Sequence, residues 1–295
     1  MNIFPVFIGI LLCVSECWTQ NKLKCGQTPY KHSVVSRIIN GDKSTPNSWP
    51  WHVGLFFKIF NGYSFFCGGS LITRKHVLSA AHCFDQMHPM FEIYIGVGLN
   101  NLTKAHPAKN LIKVSRIIKH EKYNQTEFEN DIVILELDKN VPLSKKISTI
   151  CLPRGKNAKS VYNKTLFVAG WGSTTQKVSL ASRSDTLNEI QMHIINNVNQ
   201  TLCANMADSR YCAINRAKKN SNLCVGDSGG SLVHSDNGRW FVFGIVSFGN
   251  VDLVDGGKSV KCLTDSPTFF TIVPNYINWI DQHVNKKKKL KKNLN

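Results

Sequence analysis

Three short segments of this 295-residue chain carry side chains suited to nucleophilic catalysis. They are Gly226-Asp227-Ser228-Gly229-Gly230, Ala80-Ala81-His82-Cys83 and the acid-led apolar run Asp131-Ile132-Val133-Ile134-Leu135. A serine hydroxyl is a weak nucleophile at neutral pH because it keeps its proton. It therefore needs an imidazole as proton acceptor and a carboxylate that orients the imidazole. Ser228, His82 and Asp131 together predict nucleophilic acyl transfer.

The glycines around Ser228 predict a tight, unhindered turn. Such a turn can present backbone N–H groups to the negative charge that develops on the attacked carbonyl oxygen. We expect the N–H groups of Gly226 and Ser228 to be these donors. This chemistry requires no cofactor and no metal, and the sequence contains no His-Glu-x-x-His run of the kind that metallohydrolases use.

In the order His82, Asp131, Ser228, these segments resemble the trypsin-like (chymotrypsin-type) secreted serine protease family. The resemblance covers residues 38 to about 285. It implies an all-β fold of two six-stranded antiparallel β-barrels (chymotrypsin-like) with a C-terminal helix, and a serine endopeptidase site between the barrels. It also implies that Ser228 attacks the carbonyl, that His82 transfers the proton and that Asp131 stabilises the imidazolium.

The hydrophobic pattern independently favours an all-β protein. Short apolar or alternating runs recur between turn signals, as barrels and sandwiches require. The runs are Trp51 to Ile59, Gly68 to Ile72, Phe91 to Val97, Ile112 to Ile118, Ile132 to Leu137, Thr165 to Ala169, Glu189 to Ile194, Trp240 to Ser247 and Thr268 to Val273. The spacing of Val273, Ile277, Ile280 and Val284 predicts one helix near the end, packed on the barrel exterior.

The N-terminus has the composition of a secretory signal. Residues 3 to 14 are almost entirely apolar, too short a run to cross a bilayer comfortably, and small and polar residues follow. A buried terminal strand is the alternative. The expected organisation is a signal peptide at 1–17, a propeptide at 18–37, a protease domain at 38–285 and a basic tail at 286–295. The mature protein would then be secreted and extracellular.

Removal of the signal leaves an even number of cysteines. Of the ten in the chain, Cys13 and Cys17 lie in the signal, so eight remain, and these allow 105 pairings. The family resemblance implies one of them: Cys67 with Cys83, Cys203 with Cys212, Cys224 with Cys262, and Cys25 with Cys151. Leu166 and His234 stand where many relatives have a further disulfide.

The segment Ser36-Arg37-Ile38-Ile39-Asn40-Gly41 is similar to the activation junction of the same family. Cleavage after Arg37 would free an α-ammonium group on Ile38. By resemblance, this cation pairs with the buried carboxylate of Asp227 and completes the loop that binds the developing negative charge. The alternative is a surface loop with an incidental arginine.

The resemblance also assigns substrate-binding positions. Asn222 occupies the position where trypsins carry the aspartate that binds a basic side chain, and Leu223 follows it. Thr268 stands at a wall position that is glycine in relatives with open pockets. The segment Ser247, Phe248 and Gly249 would pair with the substrate backbone as an added strand, and Ser247 would support Asp131. The expected preference is therefore for small or medium uncharged side chains.

An insertion at residues 250–261 leaves open the alternative that the enzyme cleaves after basic residues. This insertion borders the predicted cleft, and Asp252 or Asp255 within it, or the nearby Asp265, could reach into the pocket and supply the missing negative charge. The alternative is a solvated surface loop, since long surface insertions are generally tolerated.

Four sequons and a basic tail suggest further properties of a secreted protein. Asn101, Asn124, Asn163 and Asn199 each have Thr two positions later, so they could carry glycans. The net charge is +17, and the tail contains Lys286, Lys287, Lys288, Lys289, Lys291 and Lys292. Such a run is usually a solvated tail, but it could attract polyanionic glycans. A catalytically silent polyanion-binding protein on the same fold is thus the competing interpretation.

Expected partners otherwise are protein or peptide substrates, an activating protease and protease inhibitors. The signal argues against a nucleic-acid partner, and the sequence has no transmembrane segment of adequate length.

Overall fold

The computed structural model describes residues 24–30, 37–60, 62–88, 90–106, 108–178, 182–195, 203, 210–218, 220–256 and 259–285. Within these residues the chain is almost entirely strand, with several short 3-10 helices and a single α-helix. The strands form two antiparallel barrels in succession along the chain. The first strand, β1 (Arg37–Lys43), precedes both barrels in sequence and pairs with the second one.

The first barrel consists of six strands that close on themselves in the order β2-β3-β4-β7-β6-β5. The strands are β2 (His52–Ile59), β3 (Gly62–Thr73), β4 (His76–Ser79), β5 (Ile93–Gly96), β6 (Leu111–Lys119) and β7 (Val133–Leu137). Alternate side chains, among them Leu55, Leu71 and Ile95, point inward and are fully buried. This alternation is the period that a strand with one buried face requires.

The second barrel also contains six strands, and β8 closes it by pairing with both β12 and β10. Its sequence segment contains β8 (Leu166–Gly170), β9 (Lys177–Val178), β10 (Asn188–Ile194), β11 (Arg210–Ile214), β12 (Ser231–Asp236), β13 (Arg239–Gly249), β14 (Val251–Val254), β15 (Ser259–Cys262) and β16 (Thr268–Ile272). The barrel order is β10-β11-β16-β13-β12-β8. The remaining strands β14, β15 and β9 form a separate three-stranded sheet beside it.

An aromatic cluster lies between the two barrels. The Trp49 ring contacts the Trp240 ring with centroids 5.1 Å apart, and Trp51 packs in the same buried group. The Trp49 indole N–H donates to a Glu189 carboxylate oxygen at 2.7 Å, so the one polar atom of the ring is satisfied. Both halves therefore share one buried interface.

The C-terminal helix, α1 (Ile277–Val284), begins after a 3-10 turn at Val273–Tyr276. Trp279 and Ile280 are its buried residues, and the Trp279 indole donates to Glu121 at the end of the first barrel at 2.8 Å. The expected helix is therefore present, but it is shorter than the predicted segment from Val273 to Val284, because the first turn of that segment is a 3-10 helix. None of the helices in the described residues is long and apolar enough to span a bilayer.

Four disulfides are formed among the described residues, and they are the pairs that the family resemblance implies: Cys25–Cys151, Cys67–Cys83, Cys203–Cys212 and Cys224–Cys262. No bridge links Leu166 and His234. There the His234 imidazole Nδ1 lies 2.9 Å from the Thr165 carbonyl oxygen instead.

Candidate active site

His82 lies on the 3-10 helix Ala81–Phe84, directly after β4. The Cys67–Cys83 disulfide ties this helix to β3. The imidazole Nδ1 of His82 is 2.8 Å from Oδ2 of Asp131, and the His82 backbone N–H donates to Oδ1 at 2.9 Å. Because the carboxylate accepts from both the backbone and the ring, the imidazole is fixed in one orientation with Nε2 pointing away from Asp131.

Asp131 is completely buried, although it is an acid two residues before strand β7. Burial alone would raise the pKa of its carboxyl group, but the bonds from His82 and Ser247 outweigh that cost and hold the pKa below its usual value. The Ser247 hydroxyl donates to Oδ2 at 2.5 Å, and the Thr271 hydroxyl donates to the Asp131 carbonyl oxygen at 2.8 Å. Asp131 is thus an ionised group held by both barrels.

Ser228 lies in a turn between β11 and β12 that packs against the first barrel. The Gly68 N–H donates to the Ser228 carbonyl oxygen at 2.8 Å, and the Gly229 N–H donates to the Val246 carbonyl oxygen at 2.9 Å. Gly229 has φ +78°, and a Cβ there would lie 2.2 Å from the Ser79 hydroxyl. Only glycine fits this position, which fixes the direction of the turn.

His82 and Ser228 line one cavity of about 210 Å³. Leu223, Ser247, Phe248, Gly249 and Thr268 line the same cavity, so the structure brings together most of the residues that sequence analysis selected. Within the described residues, no hydrogen bond joins the Ser228 hydroxyl to the imidazole. The His82 Nε2 lies 4.0 Å from Cys83 Sγ. Such bonds are often long or absent without substrate and tighten when it binds.

The backbone N–H groups of Gly226 and Ser228 have no acceptor among the described residues, whereas the N–H of Asp227, between them, donates to the Cys224 carbonyl oxygen at 3.0 Å. Gly226 has φ +104°, a conformation that L side chains rarely adopt. The N–H groups of Gly226 and Ser228, on either side of the hydrogen-bonded Asp227 N–H, are therefore available to a negatively charged oxygen.

Asp227 is buried and has no cationic partner among the described residues. The N–H groups of Gly172 and Cys224 donate to its two carboxylate oxygens at 2.9 and 3.0 Å. Burial raises the pKa of this carboxyl group to about 7, and the two N–H groups only partly oppose the rise. The backbone of Arg37 and Ile38 belongs to β1, and their side chains lie outside the described parts.

Asn222 is buried beside the cavity-lining Leu223, is not itself part of the cavity lining, and has all its hydrogen bonds satisfied. The Asn222 amide nitrogen donates to the carbonyl oxygens of Leu263 and Ser266 at 2.9 and 2.8 Å. Its amide oxygen accepts from the Leu223 N–H and the Thr268 hydroxyl, both at 2.9 Å. All the polar capacity of Asn222 is therefore used within the protein, and a charged substrate side chain would find no partner there.

The acids of the insertion do not reach the cavity. Asp255 binds Lys177 at 2.7 Å, and this contact lowers the pKa of the Asp255 carboxyl group. Asp252 lies on β14 and Asp265 in the loop before β16; both are exposed, and neither lines the cavity. None of the three acids thus lines the cavity that contains Ser228 in the described part of the chain.

Three of the four sequon asparagines lie in described parts of the chain. Asn124 and Asn163 are exposed, and Asn101 is half-buried with its amide oxygen accepting from the Thr103 N–H at 2.8 Å. Asn199, the signal and the lysine tail lie outside the described residues.

Sequence analysis did not select several residues that shape this site. Thr271 bonds the Asp131 backbone, and Gly170 and Gly172 leave room for Asp227: a Cβ at either would lie 2.0 or 2.2 Å from a carboxylate oxygen. The signal for the glycines was their spacing around Trp171. For Thr271, the only indication in the sequence was a polar residue within a largely apolar strand.

The arrangement is suited to acyl transfer, since a buried carboxylate orients an imidazole that lines the same cavity as Ser228, near two N–H groups without an acceptor among the described residues. Together with the two-barrel fold, it defines a serine endopeptidase of the chymotrypsin type. A family model described as Trypsin matches residues 38–280, and the chain belongs to this family. It is similar to chymotrypsin-C of Bos taurus, with 33% identity over 88% of this chain and 92% of the bovine protein. Chymotrypsin-C of Mus musculus is 32% identical over 95% of this chain and 97% of the mouse protein.

Proposed function

We propose that the protein is secreted as an inactive precursor and becomes a serine endopeptidase after cleavage following Arg37. Ser228 attacks the substrate carbonyl, His82 accepts its proton and later donates it to the leaving amine, and Asp131 stabilises the imidazolium. The N–H groups of Gly226 and Ser228 bind the negatively charged oxygen. The observation that carries the proposal is the pair of hydrogen bonds between His82 and the Asp131 carboxylate, with His82 lining the same cavity as Ser228.

The buried state of Asp227 supports the precursor step. A carboxylate in this position is costly to ionise without a cation, and burial raises its pKa to about 7. An α-ammonium group released at Ile38 would supply that cation, and the resulting ion pair would fix the turn that carries Gly226. An Arg37→Gln protein should therefore stay inactive, whereas full activity of this variant without cleavage would contradict the step.

The specificity proposed is for small or medium uncharged side chains. Leu223, Val246 and Thr268 line the cavity, and Asn222, buried behind Leu223 and Thr268, has no free polar group. Desolvating a cationic side chain there would not be offset by any negative charge. A peptide library on the cleaved protein should show faster cleavage after Leu or Val than after Arg.

The decisive experiment is labelling with a fluorophosphonate probe, which reacts only with an activated serine. The protein cleaved at Arg37 should be labelled, whereas a cleaved Ser228→Ala protein should not. An exposed serine such as Ser115, changed to alanine, is the matched control and should leave labelling unchanged. Absence of labelling in the wild-type protein would favour the catalytically silent binding protein.

The basic tail supports a second, separable property. The six lysines between Lys286 and Lys292 would bind polyanionic glycans with a strong dependence on salt. A protein that ends at Asn285 should elute from a heparin column at lower salt than the full chain. Equal elution would remove the tail from this role.

A further inference from the structure

The strand edge that borders the cavity continues well beyond it. On one side β13 pairs with β16 as far as Gly249 with Thr268. On its other side β12 pairs with β13 only from Asp236 to Ser231, opposite Arg239 to Ile245. Val246 follows: its N–H donates to the Gly230 carbonyl oxygen, and its carbonyl oxygen accepts from the Gly229 N–H. Within the described residues, the edge of β13 is unpaired after that point, directly beside Ser228.

The insertion prolongs this free edge, because β14 follows β13 after a single residue, Asn250. The Asn250 carbonyl oxygen accepts from the Leu263 N–H at 3.1 Å, on the side where β14 pairs with β15. Backbone groups alternate in direction along an antiparallel strand. Those of Gly249, Val251 and Leu253 therefore face the opposite side. No described strand pairs with β14 on that side.

The side chains along this edge are apolar and exposed. Val251 is 49% exposed and Leu253 is 71% exposed, and they lie on one face because side chains alternate along a strand. Val251 also lines the cavity that contains Ser228. An exposed apolar strand edge is normally avoided because it recruits other chains. Here it is continuous with the edge on which substrate is expected to lie.

We infer that β14 is an extended substrate-binding strand for the segment before the scissile bond, with apolar side chains favoured opposite Val251 and Leu253. This inference rests on the proposed function. If the residue before the scissile bond lies opposite Ser247, an antiparallel substrate reaches Val251 and Leu253 about five and seven residues before that bond. The substrate class is therefore extended polypeptide with alternating apolar residues, rather than short peptides.

The test compares three fluorogenic substrates that share their last three residues. One is a tripeptide, one is a heptapeptide with Val and Leu at the fifth and seventh positions before the cleaved bond, and one is the same heptapeptide with Ser at both. For the cleaved wild-type protein, kcat/KM for the apolar heptapeptide should exceed that for the tripeptide by about tenfold, mainly through KM. The serine heptapeptide should gain much less.

Leu253→Ser is the diagnostic variant, since Leu253 lies outside the cavity. It should reduce the advantage of the apolar over the serine heptapeptide by about fivefold and leave tripeptide hydrolysis unchanged. Phe60→Ser removes an exposed apolar side chain on a different hairpin and should change none of the three rates.

Three results would overturn the inference. They are equal rates for the tripeptide and the apolar heptapeptide in a protein that the fluorophosphonate labels, a uniform loss on all substrates in Leu253→Ser, and a Leu253-dependent dimer without any effect of substrate length. Loss of both hydrolysis and labelling would instead overturn the proposed function, and the inference with it.

Discussion

The Thr268 hydroxyl donates a hydrogen bond to the Asn222 amide oxygen at 2.9 Å, joining a residue that lines the cavity to one buried behind it. Thr268 lines the cavity and is almost completely buried. Asn222 in turn holds the carbonyl groups of Leu263 and Ser266. One connected group of hydrogen bonds therefore holds Thr268 in its position at the cavity.

Opening the wall should enlarge the range of side chains that the cavity accepts. In Thr268→Gly, the ratio of kcat/KM for cleavage after Phe to that after Val should rise about tenfold. A difference of one methylene group in an apolar pocket typically changes kcat/KM by at least this factor. Thr268→Val is the matched control, since it keeps the volume but cannot donate to Asn222. A similar rise in both variants would show that the hydrogen bond, and not the volume, limits the cavity.

A single change of Asn222 to aspartate should not create cleavage after Arg. In Asn222→Asp, carboxylate oxygens would face the carbonyl oxygens of Leu263 and Ser266 in place of an amide donor. We expect an unfolding free energy lower by about 2 kcal/mol and a Tm lower by about 6 °C. Calorimetry and the ratio of Arg to Leu cleavage measure both effects, with Asn222→Ser as the uncharged comparison. Rapid cleavage after Arg would contradict the geometry described for Asn222.

The N-terminal segment should stay attached after cleavage at Arg37. The Cys25–Cys151 disulfide joins it to the body of the protein. The Gly26 N–H also donates to the Thr149 carbonyl oxygen at 2.7 Å, and the Gly26 carbonyl accepts from the Trp240 N–H at 2.9 Å. Electrophoresis of the cleaved protein should show one band without reductant and two with it. In Cys25→Ser/Cys151→Ser, a second band should appear without reductant.

Two buried groups should impose opposite pH dependences on the uncut chain. Burial lowers the pKa of the His52 imidazole from 6.5 to about 3. Below pH 6.5 the unfolded chain binds a proton at His52 that the folded chain does not, so the unfolding free energy falls as pH falls. Burial raises the pKa of Asp227 from 3.8 to about 7. Over that interval the folded chain keeps a proton that the unfolded chain loses, so the unfolding free energy falls as pH rises.

These two effects oppose each other over most of the same interval, and removing one should reveal the other. From about pH 4 to 6.5, the unfolding free energy of His52→Gln should fall by about 3 kcal/mol relative to wild type. Urea titrations at several pH values measure this difference. Asp227→Asn should show the reverse trend. Parallel curves for His52→Gln and wild type would mean that His52 is protonated in the folded chain.

The sequence alone was sufficient to predict the family and most of the barrel strands, because both are encoded in short local segments. The runs around His82, Asp131 and Ser228 predicted the family, and alternating apolar residues predicted most barrel strands. Shorter or more polar strands were not predicted. β11 contains Arg210 and Cys212 among its five residues, and β12 ends in polar residues that offer little hydrophobic contrast.

The contacts that define the cavity could not be read from local patterns, because they join residues far apart in sequence. Asn222 and Thr268 are 46 positions apart. The insertion was treated as a loop, although Val251 and Leu253 already alternate with more polar neighbours. Its folding into β14 and β15 depends on pairing across the turn and on β9, which contributes only two residues.

Asp131 lies two residues before β7 of the first barrel, yet its side chain is bonded by Ser247 and its backbone by Thr271, both from the second barrel. Its orientation of His82 therefore exists only while the halves are docked. If the chain were severed in the connection between the barrels, neither fragment would hydrolyse peptides. Recovered turnover on mixing the fragments would then serve as a direct reporter of their reassembly.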